Sequence, residues 1–142
     1  MQADSNIDEE AWQRVQASFG AQGAMRLLGA RLVHAARGET RFELPFRPEL
    51  SQQHGYFHGG VVAGLLDVAC GFAALTCMEP DCEVVTAELK LNYLAPARDG
   101  VLVAHGRVIK PGRVLTVTTA EGWVGEEQVA LMQATMASVR RR

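Results

Sequence analysis

The run HGGVVAGLLDVACGFAALTCM, from His58 to Met78, carries a single acidic residue, Asp67, among apolar and small side chains. Its length predicts a helix from about Gly59 to Cys77, and its hydropathy predicts that the helix is buried. A fold that buries such a helix has to close around it from several sides. It must also accommodate Asp67, because an ionised carboxylate taken out of water is costly unless it is paired, neutralised or functional. The run is long enough to cross a bilayer. Asp67 at mid-span, the lack of basic or aromatic flanks, and amphipathic strands elsewhere favour a core helix instead.

The remaining segments supply the wrapping. Residues Asp8–Phe19 predict a first helix, with Asp8, Glu9 and Glu10 at its positive N-terminal end. Ala24–Leu28 predicts a short helical turn. A hairpin follows: a strand near Ala30–Ala36, a turn at Arg37–Glu39, and a strand at Thr40–Phe46. After a loop at Arg47–Phe57 and the long helix, the pattern changes to period two. In VVTAELKLNYL, Val85, Ala87, Leu89, Leu91 and Tyr93 alternate with Thr86, Glu88, Lys90 and Asn92, which predicts one apolar and one polar face. Strands at Val101–Lys110, Arg113–Trp123 and Gln128–Arg140 are separated by turns at Pro111–Gly112 and Gly125–Glu127. Consecutive strands on short turns predict an antiparallel meander. The expectation is an α+β fold in which a curved antiparallel sheet of about six strands wraps one helix. Residues 1–142 read as one domain, with residues 1–20 as an N-terminal helical extension.

Bulk properties exclude several functions. A chain of 142 residues can bury roughly 68–70% of its unfolded surface, so it needs no disulfides. Cys70, Cys77 and Cys82 are odd in number and form no CxxC pair, which suits free thiols in the cytoplasm. The start, MQADSNIDEE, is acidic, unlike a signal peptide. A net charge of −2 gives no electrostatic case for nucleic acid or an anionic membrane, and Arg140–Arg142 read as a solvated tail.

On a helical wheel, the face around Asp67 carries Gly60, Ala63, Gly64, Cys70, Gly71 and Ala74, all small. Val62, Leu65, Ala69 and Phe72 lie opposite, flanked by Val61, Leu66 and Val68. The large face is expected to pack on the sheet. The small face admits another backbone, a second helix or a slender ligand. Glycines interior to a helix cost about 1 kcal/mol each against alanine, so a packing or functional reason is expected. At the helix start, Gly59 and Gly60 follow His58 and leave N–H groups that can polarise a carbonyl. His54 and His58 have i,i+4 spacing, but the neighbouring glycines speak against a metal-binding turn, and no metal is expected. Gly59 and Asp67 are eight residues apart, about 12 Å along one helix at ~1.5 Å per residue. Two groups that act on one carbonyl must lie within a few ångströms of each other. One helix therefore cannot supply both, whereas two antiparallel copies can. If both act on one substrate, the site is shared across a two-fold dimer.

Gln52-x-x-Gly55-x-x-His58-Gly59-Gly60, Asp67 seven residues after Gly60, TAELKLNYLAPA (Thr86–Ala97) and the turn Pro111-Gly112-Arg113 together resemble hot-dog-fold acyl-CoA thioesterases of the phenylacetate-degradation (PaaI-like) type. MRLLGARLVHAARGETRFELPFRPEL also resembles the first hairpin of that family. The likeness covers nearly the whole chain after residue 20. It implies hydrolysis of an aryl- or medium-chain acyl-CoA to free acid and coenzyme A, by homodimers often paired into tetramers. It implies Asp67 as nucleophile or general base, and the Gly59 amide, with Gly60, polarising the thioester carbonyl. His58 would shape the loop, Gln52 would orient substrate or water, and Thr86 would help position the attacking water. A thioester is already activated, so no cofactor is needed beyond the coenzyme A of the substrate. Arg98 and Arg113 are candidates for its phosphates. Tyr56, Phe57, Phe72 and Met78 are candidates for an acyl pocket, with core packing the expected role of Phe72. Cys70 is read as packing. The alternatives in other classes are an acyl-thioester hydratase or dehydratase and a non-enzymatic acyl-CoA-binding protein.

Overall fold

The computed structural model describes residues 8–141. Its elements are helices α1 (Glu9–Gly20), α2 (Gly23–Leu28) and α3 (Gly59–Leu75) and strands β1 (Arg31–Ala36), β2 (Glu39–Pro45), β3 (Cys82–Tyr93), β4 (Val101–Lys110), β5 (Leu115–Val124) and β6 (Glu127–Arg140). The strands form one antiparallel sheet in the order β1-β2-β4-β5-β6-β3. The meander covers β4, β5 and β6. Strand β3 leaves chain order and pairs with β6 at the edge. The long helix lies in the curve of the sheet and touches β2 through β6. This is the hot-dog arrangement that the sequence predicts.

The seat of the helix is unusually close. A Cβ on Gly106 of β4 would lie 2.3 Å from the Ala69 carbonyl oxygen, so only glycine lets the helix backbone meet the sheet there. The same oxygen accepts a 2.8 Å hydrogen bond from Thr40 Oγ1 of β2, and Thr40 is fully buried. Around this point Leu65, Leu66 and Leu75 are fully buried, each contributing roughly 1.5–3 kcal/mol of burial free energy.

Three expectations change. First, the small face is narrower than the wheel suggests. Every residue from Ala69 to Thr76 is buried, so Cys70, Gly71 and Ala74 belong to the core. The far half of α3 is enclosed by the sheet, with Met136 Sδ of β6 3.9 Å from the Cβ position of Gly71, and by Phe19 of α1, which packs against Phe42 and Phe72 at 5.0 and 6.3 Å between ring centroids. Gly59, Gly60, Val61, Ala63, Gly64, Asp67 and Val68 retain access, and Met25 of α2 already reaches to 3.9 Å from the Cβ position of Gly64. Second, β3 does not alternate strictly. Its pairing with β6 shifts between Thr86 and Glu88, leaving Ala87 as a bulge. Thr86 therefore pairs with buried Met136 on the concave face, whereas Val85 and Ala87 turn outward; Leu89, Leu91 and Tyr93, beyond the bulge, are concave again. Third, α3 ends at Leu75 because Thr76 caps it: its hydroxyl donates to the Ala73 carbonyl and accepts from Gly38 N. Among the described residues no helix is long and apolar enough to cross a membrane.

Both ends of the described segment, residues 8–141, are tied down. Asp8 caps α1 by accepting from Ala11 N at 3.0 Å. Arg14 donates to the carbonyls of Met78 and Glu79, both at 2.6 Å, and of Cys82 at 3.2 Å, clamping the turn after α3. Arg140 and Arg141, expected in a solvated tail, pair with Asp81 and Glu83 at the β6–β3 edge; Arg142 and residues 1–7 lie outside the described residues.

Replacing Gly106 by alanine forces the helix off its seat. Chemical denaturation of Gly106→Ala is expected to show a loss of about 2–3 kcal/mol, typical of overpacking a rigid core. An unchanged midpoint would contradict the close contact.

Candidate active site

The loop before α3 is built to hold the first helical turn. Gly55, at a φ of 85°, allows the tight bend in which Gly55 N donates to the Gln52 carbonyl and Gln52 N to the Tyr56 carbonyl. The side-chain oxygen of Gln52 accepts from His54 N and Tyr56 N. Its NH₂ group has no acceptor among the described residues. Phe57 N donates to the Ala97 carbonyl and His58 N to the Leu50 carbonyl, which fixes the entry of the chain into the helix.

His58 is the N-cap, and its Nδ1 accepts from Gly60 N at 2.9 Å. This assigns the ring proton to Nε2, since Nδ1 must present its lone pair. Val61 N and Val62 N both turn to the His58 carbonyl. Gly59 is therefore the helix-start residue whose N–H has no acceptor among the described residues. Gly60, which the sequence reading pairs with it, is already committed. The ring of Tyr93 sits against Gly59: its hydroxyl donates to the Gly59 carbonyl at 2.6 Å, and a Cβ on Gly59 would lie 2.9 Å from that oxygen. Gln52, Tyr56, Gly59, Val62 and Tyr93 share a cleft of about 480 Å³ with the Leu94–Ala97 segment.

Asp67 lies further along the helix, half-buried. Thr86 Oγ1 donates to its Oδ1 at 2.7 Å. The pair lines a separate pocket of about 80 Å³ with Gln22, Val68, Gly71, Phe72 and Val84. No residue lines both this pocket and the Gly59 cleft. One chain thus holds the two halves of the expected site on one open helix face but does not bring them together.

The other candidates divide. Arg98 is exposed, with its guanidinium carbon 5.2 Å above the Tyr56 ring, near the Gly59 cleft. Arg113 lines a different cleft, of about 590 Å³, at the C-terminal end of α3 together with Met78. Phe57 reaches the Gly59 cleft but is only 3% exposed and packs edge-on against Phe46 at 5.1 Å, so it is chiefly core. Met78 and Phe72 are buried in the same core. No group of three or more His, Cys, Asp or Glu placed to hold a metal occurs among the described residues. Sequence reasoning did not assign Tyr93 or Gln22 to the site. Tyr93 is read there only as one more apolar position of a strand, and Gln22 follows no motif.

Cys70, one turn from Asp67, is fully buried. Burial pushes its thiol up to about 12. A neutral thiol is a poor nucleophile, so Cys70 stays in the core. Because its folded value lies above the ordinary 9.0, the stability from burying the neutral thiol is complete below pH 9 and is lost as pH rises towards 12. At pH 8 a thiol reagent is expected to label half-buried Cys77 in the native protein and Cys70 only after denaturant. Fast native labelling of Cys70 would contradict this. Gly59→Ala is expected to push Tyr93 away and to leave the fold intact, with a loss of thermal stability smaller than that of Gly106→Ala, since a partly exposed ring can yield where backbone cannot.

Comparison with known proteins identifies the family. Residues 54–131 match the family model described as the thioesterase superfamily. Acyl-coenzyme A thioesterase 13 of Homo sapiens is 32% identical over 111 residues, covering 75% of this chain and 77% of the relative. A crystal structure of a thioesterase family protein from Silicibacter pomeroyi superposes with a TM-score of 0.90 at 39% identity, covering 92% of this chain and 99% of that one. The PaaI protein of the E. coli phenylacetic acid degradation operon has a TM-score of 0.87 at 20% identity over 94% of this chain and 96% of its own, a likeness of fold alone. The match over more than half of the chain, on a hot-dog fold, places it in the thioesterase superfamily.

Proposed function

We propose that the protein is an acyl-CoA thioesterase that hydrolyses an aryl- or medium-chain acyl-CoA to free acid and coenzyme A in a reducing, cytoplasmic setting. One observation carries the reading: the open face of α3 presents an unclaimed N-terminal amide at Gly59 and a carboxylate, Asp67, oriented by Thr86. A thioester needs little else. A donor polarises the carbonyl as charge develops on its oxygen, and a carboxylate attacks the carbon or takes a proton from water that does. Coenzyme A leaves as the carbonyl re-forms and takes up a proton to become the thiol; where the carboxylate itself attacks, water then hydrolyses the mixed anhydride and frees the acid, and no further cofactor takes part.

In this proposal two chains pair about a two-fold axis with their α3 helices antiparallel on the open faces. Asp67 and Thr86 of one chain then meet Gly59 and Gln52 of the other, and each dimer has two sites. A second pairing gives a dimer of dimers. The free NH₂ of Gln52 adds a second donor beside Gly59, while His58 keeps the first turn taut through Gly60. Arg98, held over Tyr56 at the Gly59 cleft, takes a phosphate of coenzyme A. An antiparallel arrangement carries Arg113, at the far end of α3, towards the same region of the partner.

The test is release of free thiol from a panel of aryl and aliphatic acyl-CoAs. Asp67→Asn is expected to lower kcat by at least about 10²-fold, and Thr86→Ala by about tenfold, with circular dichroism and oligomeric state unchanged. Undiminished turnover by Asp67→Asn would remove Asp67 from the reaction. Tight binding of acyl-CoA by the wild type without turnover would convert the protein into a binding module.

A further inference from the structure

Tyr93 makes a contact at the start of α3 that packing of the fold does not require. It is the last residue of β3 and is 56% exposed, outside both the buried core and the apolar residues packed against it. Its hydroxyl nevertheless crosses to the Gly59 carbonyl at 2.6 Å, 34 residues back along the chain. The ring follows: the Cβ position of Gly59 lies 2.9, 3.1 and 3.5 Å from Oη, Cζ and Cε1 of Tyr93. A tyrosine so far out of the core gains little from burial, so the hydroxyl contact sets where the ring sits.

The carbonyl it meets is not an orphan. Gly59 opens α3, and in a regular helix its oxygen accepts from the N–H four residues on, here that of Ala63. The carbonyls that a helix leaves unpaired are at its other end. Tyr93 therefore brings a second donor to a group already served, and satisfaction of the backbone does not explain it. What the bond adds is a grip on one peptide unit. The oxygen of that unit, on Gly59, is held by Tyr93, and its nitrogen, on Gly60, by His58 Nδ1 at 2.9 Å. Two successive glycines have the widest choice of backbone conformations, and the first turn is where a helix frays. The preceding peptide, which carries the Gly59 N–H, is held at its own oxygen, the His58 carbonyl, by Val61 N and Val62 N. The unclaimed amide is thus flanked by fixed groups on both sides, in the cleft of about 480 Å³ that Gly59 and Tyr93 both line. A donor to a developing oxyanion has to stand within about 2.7–3.1 Å of it, and contributes most when it is in place beforehand.

Resting on the thioesterase reading, we infer that Tyr93 is a positioning residue for hydrolysis: its hydroxyl, acting through the Gly59 carbonyl, keeps the Gly59 amide aimed at the thioester oxygen. Tyr93 itself donates no proton to the substrate and touches no reacting atom.

The test compares wild type with Tyr93→Phe, which keeps the ring and loses the hydroxyl. Thermal melts and size exclusion check that fold and assembly are retained. Two readouts are taken. One is kcat and KM on the acyl-CoA that the wild type hydrolyses fastest. The other is the infrared carbonyl stretch of a bound, non-hydrolysable ketone analogue of that substrate, with a methylene between sulfur and carbonyl. The variant is expected to lower kcat about fivefold to tenfold, the scale of one hydrogen bond, with KM unchanged, and to raise the bound stretch towards its frequency without a donor. Asp67→Asn, which leaves the donor in place, is expected to keep the wild-type stretch. A merely structural role lowers the melting temperature and leaves kcat per folded enzyme and the stretch as they are. That result, a rise in KM alone, or a fall in kcat with an unmoved stretch overturns the inference while the thioesterase reading stands. A wild type that hydrolyses no thioester overturns both.

Discussion

The contact between the Ala69 carbonyl and Gly106 settles the geometry of this protein. A helix whose backbone meets the sheet with no room for a methyl group, and whose carbonyl also accepts from Thr40, cannot rotate in its seat. Asp67 stands two residues before Ala69, about 200° around the helix at ~100° per residue. Fixing Ala69 towards β2 and β4 therefore turns Asp67 away from those strands and towards the edge strand β3. The carboxylate is spared full burial because of where the backbone is pinned, and its place in an otherwise apolar helix ceases to be a paradox.

The bulge at Ala87 completes that arrangement. With strict alternation, Thr86 would share the outer face with Glu88, Lys90 and Asn92. One extra residue in the strand turns Thr86 to the concave side, within 2.7 Å of Asp67, while Leu91 and Tyr93 remain concave further on. The same strand thus reaches both parts of the proposed site: Thr86 orients the Asp67 carboxylate, and Tyr93 holds the carbonyl of Gly59. The helix start is equally economical. His58 spends its Nδ1 on Gly60, so the free amide is that of Gly59.

Much of this was legible in the residues. The apolar run required a buried helix, the turn signals gave six strands, and the HGG start with Asp67 eight residues after Gly59 gave the resemblance. Three features were not legible, each for a physical reason. A bulge adds one residue without changing composition, so period two looked intact across Ala87. The wheel does not know which turns are covered; the curved sheet closes over the second half of α3, with Phe19 of α1 against Phe72, and Cys70, Gly71 and Ala74 lie in the core. Gln22 reaches the Asp67 pocket only through tertiary packing of Phe19 and Met25, which no local pattern records.

The central claim is that the Gly59 amide and Asp67 act on one substrate from two chains. Subunit complementation tests it directly. Asp67→Asn chains and Gly59→Pro chains, in which proline at the first helical position removes the amide hydrogen, are each purified, found inactive, then mixed through reversible denaturation or co-expressed with different tags. In a shared site, the mixed dimer has one site with both groups intact and one with both altered, so activity returns to about half that of a wild-type dimer. If each chain holds its own complete site, every site in the mixture carries one substitution, and the mixture stays as inactive as its parents.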